Sequence, residues 1–433
     1  MITVIPFAKF FSDKIGDVGR VVVANVVWRG LALATNKVAR LLLILVAANT
    51  LGTRSFGLYS YIVSLASLAF IFSDWGINIL LTRDFQFAAE QEDKEKLVST
   101  SLLLKVFVAL ISACAIPPIL WLYNETAYIP LALFFALSIA IGNIRDIAIN
   151  LFIAVQKSKL EFFVYIAETI GLGVSFFTLF RSTPTPTTLA AVYVLGVVVS
   201  AFVSFFLSKK IVYFRIQNFS FSLAKKMLKN GLPLSLFGIA SYLFFSTDQL
   251  ILENYHGYEQ VGVYNVASKI ILAVAVVPGL INTVLFPYIA RYRTDRVKIN
   301  SIIFHVLLVL IGLAGSFILG IFVFGGWTIH TFFKPEFFSV IPALKLFSFI
   351  TIPMFAVSLF DYVLIAYNLQ KQDFYLTIIA GFINVILNFV LVPHYGMIGA
   401  VVASVLSQCI NALMTGLYMV HAIKKITRKY ALA

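Results

Sequence analysis

Long runs of hydrophobic residues recur along the whole chain, separated by short polar connections. About 20 apolar residues are enough to span a bilayer as a helix, and the pattern predicts twelve spans of this kind. The approximate bounds are 22–48, 56–81, 98–123, 128–154, 161–180, 187–208, 231–253, 259–288, 299–324, 338–366, 374–393 and 396–421. The pattern therefore predicts an all-α integral membrane protein.

Composition and charge agree with this interpretation. The 433 residues are 61% hydrophobic and 12% charged, and the mean hydropathy of +0.96 lies outside the usual range of soluble proteins. The net charge is +14, but the basic residues concentrate in short connections: with both termini inside, inner segments hold 23 Lys and Arg and outer ones hold 3. The positive-inside rule therefore predicts cytoplasmic termini, and nucleic acid is not an expected partner.

The longest inner connection, at 209–230, divides the spans into two sets of six. Its sequence, KKIVYFRIQNFSFSLAKKMLKN, alternates basic and aromatic residues, which suits an amphipathic segment lying on an anionic leaflet. An ordinary linker that obeys the positive-inside rule explains the composition equally well. The predicted organisation is an N-terminal lobe at 1–208, the linker, and a C-terminal lobe at 231–433.

The two halves also resemble each other weakly. FGLYS at 56–60 matches VGVYN at 261–265 with a shift of 205, which also aligns Gly52 with Gly257. KLEFF at 159–163 matches KQDFY at 371–375 with a shift of 212. Because six spans return the chain to the same side of the membrane, the repeats are predicted to be parallel, as two six-helix lobes around a central cavity.

Polar residues interrupt the first span on one face. At about 100° per residue, Asn25, Arg29, Asn36 and Arg40 fall within a stripe roughly 60° wide, with Lys37 at its edge. A charge at the bilayer centre costs about 2.5 to 3.5 kcal/mol on the most lenient scale, so this face is expected to line a hydrated interior. Cations in such a cavity indicate an anionic guest.

The other charged residues within spans have alternative interpretations. Lys105 is expected to snorkel to the cytoplasmic surface, and Arg145 to pair with Asp146 or Glu168. Asp248 and Lys269 fall in the outer halves of consecutive spans, where a structural ion pair and a functional role are equally open. Asp361 lies near the inner end of the tenth span, where contact with water would be enough to stabilise its charge. The remaining intramembrane charges are Lys345 and Asp74.

Stripes of uncharged polar residues also follow helical spacing, such as Ser60, Ser64 and Ser67 in the second span. We interpret these mainly as hydrogen-bonding contacts between helices. The sequence contains no Walker A motif, no HExxH motif and no clustered Cys and His ligands, so neither enzymatic activity, nor a metal, nor a cofactor is predicted.

Two longer stretches carry a resemblance to a known family. They are LGTRSFGLYSYIVSLASLAFIFSDWGINILLTRDF at 51–85 and STDQLILENYHGYEQVGVYNVASKI at 246–270. Both contain Gly-x-Tyr (57–59 and 262–264), and Asp74 and Asp248 are acids late in the second and seventh spans. The chain resembles Wzx-type O-antigen and polysaccharide flippases, of the multidrug/oligosaccharidyl-lipid/polysaccharide (MOP) exporter superfamily that includes the MATE antiporters and the lipid II flippases.

The resemblance implies a multi-pass protein of the bacterial cytoplasmic membrane that turns an undecaprenyl-pyrophosphate-linked oligosaccharide outward by alternating access. Guanidinium and ammonium groups bind pyrophosphate oxygens well. The implied cationic cavity comprises Arg29, Asn36, Lys37 and Arg40, with Arg145, Lys269 and Lys345 as secondary candidates. Proton or cation coupling is implied, and the intramembrane carboxylates are Asp74, Asp146, Glu168, Asp248 and Asp361.

The expected partners are the lipid-linked glycan, membrane lipids and polysaccharide assembly proteins, with the chain as a monomer whose lobes rock about the linker. Two alternatives remain. The first is a drug or metabolite antiporter of the same fold, although multidrug relatives commonly carry an acid in the first helix and this first helix carries three cations. The second is a scaffold in a glycan-assembly complex that transports nothing.

Overall fold

The structure is a computed structural model that describes residues 16–70, 73–88, 90–292 and 295–431. Lys9 and Lys14, which contribute to the predicted orientation, lie outside these ranges. In the described part the regular structure is helical, without strands. The α-helices are α1 Gly16–Ala69, α2 Ile77–Phe87, α3 Gln91–Cys114, α4 Ile116–Leu122, α5 Ile129–Ala154, α6 Ser158–Ser175, α7 Pro186–Ser208, α8 Phe221–Phe245, α9 Thr247–Val274, α10 Val276–Tyr292, α11 Arg296–Phe332, α12 Val340–Ser348, α13 Thr351–Ala366 and α14 Gln370–Ala431.

Nine helical stretches in these ranges are long and apolar enough to cross a membrane. The all-α, multi-pass character predicted from the sequence is therefore confirmed. The number is smaller than twelve partly because α1 extends from the first predicted span into the second and α14 covers the last two, each with a kink at one glycine in place of a loop.

Glycines allow the chain to turn inside these long helices. Gly52 within α1 has φ 82° and ψ 168°, and Gly257 within α9 has φ 74° and ψ 179°. Gly396 interrupts α14 with φ 54°. Positive φ is readily accessible to glycine alone, so connections that were predicted as loops are single-residue kinks. The same conformation recurs at Gly52 and Gly257, the two residues that the 205-residue shift aligns.

The second predicted span, 56–81, is not a continuous helix, so that prediction was wrong. Helix α1 ends at Ala69, and after a turn the chain enters α2 at Ile77. Trp75 and Gly76 both have positive φ, at 47° and 67°. The Trp75 indole donates a hydrogen bond to the Leu228 carbonyl oxygen at 2.9 Å, and a Cβ added to Gly231 would lie 2.1 Å from the Trp75 carbonyl oxygen. This packing on α8 fixes the turn that holds Asp74.

The chain forms two compact units. Unit 1 comprises the described residues within 1–43 and 66–236, and unit 2 those within 44–65 and 237–433. Residues 44–65 thus group with the second unit, and the 209–230 segment belongs to the first.

In unit 1, α5 packs against α2, α3 and α7, and α6 packs against α7. The α6–α7 contact uses small residues: a Cβ on Gly171 would lie 3.1 Å from the Gly196 Cα atom, and one on Gly196 would lie 2.5 Å from Leu172. Helix α7 begins with a capping box, in which Thr185 and Thr188 exchange side-chain and backbone hydrogen bonds, and Pro186 is the first residue of the helix. These contacts bring α5, α6 and α7 close together.

In unit 2, α13 and α9 pack on α14, and α10 and α11 pack on α13. Leu359, Val363 and Leu364 of α13 are fully buried in an apolar cluster with Ile299 and Leu310 of α11. Large apolar side chains remain exposed on the outer surface of α14, as expected for a helix that faces lipid; examples are Phe389, Leu413 and Leu417.

Candidate substrate-binding site

The arginine predicted at the end of the first-helix stripe makes an ion pair with a distant acid. Arg40 Nε of α1 donates a hydrogen bond to Glu168 Oε1 of α6 at 2.9 Å, and Arg40 Nη2 contacts the same oxygen. The Glu168 side chain is fully buried, whereas the Arg40 side chain is 37% exposed. Glu168 therefore holds the Nε and Nη2 edge of the Arg40 guanidinium, and the Arg40 side chain remains partly accessible.

Glu168 also holds a second arginine. Its other oxygen, Oε2, accepts a hydrogen bond from Arg145 Nη1 of α5. Arg145 Nε and Nη2 in turn donate to Asp146 Oδ1 at 3.0 and 2.7 Å. The predicted pairing of Arg145 with Asp146 or Glu168 is confirmed for both acids. One carboxylate thus bridges two guanidinium groups.

Aromatic rings lie beside both arginines. The Arg40 guanidinium carbon lies 5.6 Å from the centroid of the Tyr193 ring of α7, and that of Arg145 lies 5.4 Å from the Tyr165 ring of α6. Such cation–π contacts stabilise a partly desolvated cation. They also fix the planes of the two guanidinium groups relative to Glu168.

Other members of the stripe have different environments. Asn25 accepts a hydrogen bond from the Ser158 backbone N–H at 2.9 Å, at the beginning of α6. Asn36 is buried next to Glu168, and its side chain interacts with that carboxylate. Lys37 is exposed and makes no ion pair with the described part of the chain. The stripe therefore presents, near Arg40, an ammonium group that no described acid neutralises.

Arg29 interacts electrostatically with Glu161, an acid that the sequence analysis did not select. Glu161 is 1% exposed, and its Oε2 atom has no hydrogen-bond partner among the described residues. It lies in KLEFF, and the matching KQDFY places Asp373 at the equivalent position. Asp373 is also buried, at 4% exposure. The repeated motif was the signal that could have identified both acids.

Lys105 does not snorkel, so that expectation was wrong. Its side chain is completely buried, and its Nζ atom lies 2.8 Å from Asp74 Oδ1. The ammonium also lies 3.4 Å from the Asn143 backbone oxygen. The turn between α1 and α2 places the Asp74 carboxylate at this depth, where it neutralises Lys105.

In unit 2, Asp248 takes part in a hydrogen-bonded polar cluster. It accepts hydrogen bonds from the Tyr264 hydroxyl and, at 2.9 Å, from Ser404 Oγ of α14. Its neighbour Gln249 accepts from Ser64 Oγ at 2.9 Å and from Asn265 Nδ2 at 2.6 Å. The interpretation of the serine stripe as interhelical contacts is confirmed at Ser64. Lys269 does not form an ion pair with Asp248.

Two further candidates lie elsewhere in unit 2. The carboxyl groups of Asp361 on α13 and Asp373 on α14 are within hydrogen-bonding reach of each other. Lys345 of α12 lies with its Nζ atom 5.6 Å from the Phe322 ring centroid. Neither Lys269 nor Lys345 belongs to the arginine–glutamate network of unit 1.

The geometry of unit 1 can bind an anion at Arg40. A guanidinium has five N–H donors, and the two contacts to Glu168 leave the Nη1 edge available. Lys37, three residues earlier on the same helix, offers further donors. A bidentate contact from arginine with added ammonium charge is suited to phosphate and carboxylate oxygens.

The chain belongs to the family described as polysaccharide biosynthesis protein, whose model matches residues 22–293, more than half of the sequence. The uncharacterized membrane protein EpsK of Bacillus subtilis (strain 168) is 23% identical over 411 residues, which cover 86% of this chain and 77% of EpsK. The uncharacterized membrane protein MJ1375 of Methanocaldococcus jannaschii is 23% identical over 199 residues, 46% of either chain. The predicted family resemblance is confirmed.

Solved structures of membrane transporters share the fold. An inward-facing multidrug resistance MATE family transporter of the MOP superfamily matches with a TM-score of 0.71 at 16% identity, covering 94% of this chain and 98% of that one. A MOP superfamily transporter from Pyrococcus furiosus, described as having a binding pocket of reverse polarity, matches with a TM-score of 0.66 at 15% identity, covering 94% and 96%. At these identities the likeness establishes the fold and nothing finer.

Proposed function

We propose that this member of the polysaccharide biosynthesis protein family is a flippase for lipid-linked oligosaccharides. The proposed substrate is an undecaprenyl-pyrophosphate-linked repeat unit of O-antigen or a related surface polysaccharide. It moves from the cytoplasmic to the outer leaflet of the bacterial cytoplasmic membrane by alternating access. The charge distribution of the connections supports cytoplasmic termini, and the protein is proposed to act as a monomer beside polysaccharide assembly proteins.

The single observation that carries this proposal is the state of Arg40. Its guanidinium is anchored to the buried Glu168, whereas the side chain as a whole is 37% exposed, and it shares α1 with the exposed Lys37. An arginine used only for structure would be expected to direct all its donors at protein acceptors. A pyrophosphate or an acidic sugar supplies the missing acceptors, so an anionic substrate group is proposed to bind at Arg40 and Lys37, beside Asn36.

Arg29 and Arg145 are proposed to belong to the same site, but they differ in how far the substrate can reach them. Arg145 is buried and satisfied by Asp146 and Glu168, so its charge acts by positioning Glu168. Arg29 lies beside the buried Glu161. Lys269 and Lys345 of unit 2 remain secondary candidates for contacts to the glycan.

Coupling to a proton or cation gradient is part of the proposal. Of the five intramembrane carboxylates, Asp74, Asp146 and Glu168 make ion pairs with Lys105, Arg145 and Arg40. Asp248 is hydrogen-bonded within its cluster. Asp361 lies within hydrogen-bonding reach of a second carboxyl group, Asp373, and two carboxyl groups this close can share one proton. This pair is therefore the proposed proton site.

The test is complementation in the chain's own host, deleted for its gene, so that the native glycan is present. Wild type, Arg40→Ala and Arg40→Glu are expressed at equal membrane abundance. Surface polysaccharide and the lipid-linked units exposed on each membrane face are measured. We expect wild type to restore polymer and both variants to accumulate unflipped units, Arg40→Glu more strongly.

The matched control is Arg181→Ala, because Arg181 is an exposed arginine in the same unit and makes no ion pair with described residues. It should behave as wild type. Full polymer output from Arg40→Glu would exclude Arg40 from the mechanism. Normal flipping of lipid-linked units in the deletion strain itself would overturn the proposed function and leave the role of a scaffold.

A further inference from the structure

The inner end of unit 1 contains an apolar pocket that the proposed transport site does not use. Three helix faces converge on it: Val98 and Leu102 of α3, the 144–147–148–151 face of α5, and the 201–204–205–208 face of α7. These spacings of three and four residues each define one side of a helix. Arg145 lies on a different side of α5, directed at Glu168, so the pocket and the arginine network are separate.

Apart from Ser204, the polar residues that line this pocket lie at one end. Ala201 and Ile147 line its apolar part, whereas Ser208, Lys209 and Tyr213 line the end where α7 gives way to the 209–230 segment. From Ala201 to Lys209 the helix rises about 12 Å. The pocket is therefore an apolar slot that runs from within the span to the membrane surface, with a cation at its mouth.

Lys209 has no carboxylate at this mouth. Its Nζ atom lies over aromatic rings instead, 4.6 Å from the Phe205 centroid and 5.0 Å from the Phe206 centroid, and it forms no ion pair with any described acid. Lys210 is exposed beside it, and the Tyr213 hydroxyl makes no hydrogen bond in the described ranges. The mouth thus offers the Lys209 ammonium and the Tyr213 hydroxyl without an acceptor, and Lys210 follows directly in the sequence.

The wall formed by the 209–230 segment is fixed in place. Val212 is buried, and four hydrogen bonds tie the segment to α3. They join Arg215 N to Ser99 Oγ at 3.2 Å, Ser220 N to Thr100 Oγ1 at 3.1 Å, Asn218 Nδ2 to Glu95 Oε2 at 3.2 Å, and Gln91 Nε2 to the Ile211 oxygen at 3.3 Å. The mouth is therefore preorganised and does not need a ligand to form.

We propose that this pocket is a binding site for a resident anionic phospholipid of the cytoplasmic leaflet. One acyl chain occupies the slot between α3, α5 and α7, and the headgroup phosphate accepts hydrogen bonds from Lys209, Lys210 and Tyr213. Basic pockets between spans on the cytoplasmic side bind acidic headgroups by this combination of charge and apolar surface. A glycerophospholipid is chosen over the prenyl-linked substrate because it is the abundant anionic lipid of that leaflet.

The test measures lipid bound to the purified protein in detergent by native mass spectrometry, with phosphatidylglycerol or phosphatidylcholine added. Wild type is expected to retain phosphatidylglycerol preferentially. Lys209→Gln should lower its occupancy about fivefold, the ratio that corresponds to about 1 kcal/mol for one basic residue at an anionic surface. Ala201→Phe fills the slot and should abolish binding of both lipids at this site.

Matched variants separate the pocket from the general surface. Lys226→Gln removes an exposed lysine of the same inner face, and Val198→Phe enlarges an exposed side chain of α7 outside the pocket; both should bind lipid as wild type does. Ala148→Leu fills the slot from α5, so the proposal is still tested if Ala201→Phe fails to fold.

Two outcomes would overturn the proposal. Equal retention of both lipids, unchanged by Lys209→Gln, would mean that the pocket binds lipid without selecting an anionic headgroup. A separate arm adds undecaprenyl phosphate. Displacement of phosphatidylglycerol by equimolar undecaprenyl phosphate in wild type, lost in Ala201→Phe, would assign the slot to the substrate tail instead.

Discussion

Gly57 of α1 and Gly262 of α9 meet backbone to backbone in unit 2. A Cβ on Gly57 would lie 1.7 Å from the Tyr258 carbonyl oxygen and 2.9 Å from the Gly262 nitrogen. A Cβ on Gly262 would lie 2.1 Å from the Thr53 carbonyl oxygen and 3.1 Å from the Gly57 nitrogen. The two glycines are equivalent residues of FGLYS and VGVYN, so the repeated motif marks a reciprocal helix crossing.

Alanine at either glycine is expected to destabilise the protein. The clashing atoms are backbone carbonyl oxygens, which cannot move aside by a change of rotamer, and overpacking of this kind costs about 1–3 kcal/mol or more. Thermal unfolding in detergent should show a lower midpoint for Gly57→Ala and Gly262→Ala. Gly173→Ala is the control, because a Cβ there meets nothing within 4 Å. An unchanged midpoint in both crossing variants would show that the helices can separate freely.

Glu168→Gln is expected to lower stability and to make the protein respond to added pyrophosphate. The substitution keeps the shape of the side chain but removes the anion between Arg40 and Arg145. Loss of one partner of a buried ion pair costs about 3–5 kcal/mol, and we expect less here because Arg40 is partly exposed and Arg145 keeps Asp146. The unfolding midpoint is measured with and without pyrophosphate, which should replace part of the missing charge.

A surface acid provides the comparison for that experiment. Glu92→Gln removes an exposed carboxylate in the first turn of α3, and neither its midpoint nor its response to pyrophosphate should differ from wild type. If pyrophosphate raised the midpoints of wild type and both variants equally, the effect would be a general one of the anion on the folded state. The assignment of Arg40 as an anion site would then lose its support.

Asp74→Asn is expected to destabilise the protein more than Asp84→Asn. The first variant leaves the completely buried Lys105 ammonium without its counter-charge, whereas the second affects Arg83, whose side chain is 54% exposed. Exposed pairs contribute about 0–1 kcal/mol. Adding Lys105→Met to Asp74→Asn should recover stability, because the uncompensated buried charge is then gone. Equal unfolding midpoints for the two single variants would contradict the burial of Lys105.

Asp361→Asn and Asp373→Asn should each abolish substrate-dependent proton movement. The two carboxyl groups lie within hydrogen-bonding reach of each other. An amide at either residue removes one of the two acids between which the proton would be bound. The measurement uses the protein reconstituted in vesicles with a pH-sensitive dye inside and the lipid-linked glycan added. Asp295→Asn, at the exposed start of α11, should retain the signal. Proton movement that survives in both buried variants would transfer the coupling role to another group.

Much of the architecture could be predicted from the sequence because apolar runs of span length leave few alternatives to membrane helices. The connections were harder. Gly52, Gly257 and Gly396 adopt positive φ at kinks between two successive helical segments, and hydropathy cannot distinguish such a kink from a short loop. The turn at Trp75 and Gly76 was missed although Ser73, Asp74 and Gly76 are common turn residues, because the apolar runs on both sides together have the length of one span.

Of the candidate site, only the residues on α1 could be predicted from the sequence. The stripe on α1 follows from helical spacing, and it contains Arg40 as expected. Its partner Glu168 lies 128 residues away, and no local pattern indicates which of several intramembrane acids it would meet. Lys105 shows the same limit, since its depth depends on the fold of the turn that carries Asp74.

The Lys105–Asp74 ion pair also constrains how the chain enters the membrane during synthesis. The translocation channel releases segments into lipid according to their apolar character, and a lysine well inside a span opposes release by about 2.5 to 3.5 kcal/mol. Asp74 precedes Lys105 by 31 residues, so its carboxylate has already left the ribosome when the lysine emerges. The segments that carry Asp74 and Lys105 can therefore enter the lipid together as a hairpin in which these two charges cancel. The order of synthesis thus contributes to folding, because the acid is available before the lysine.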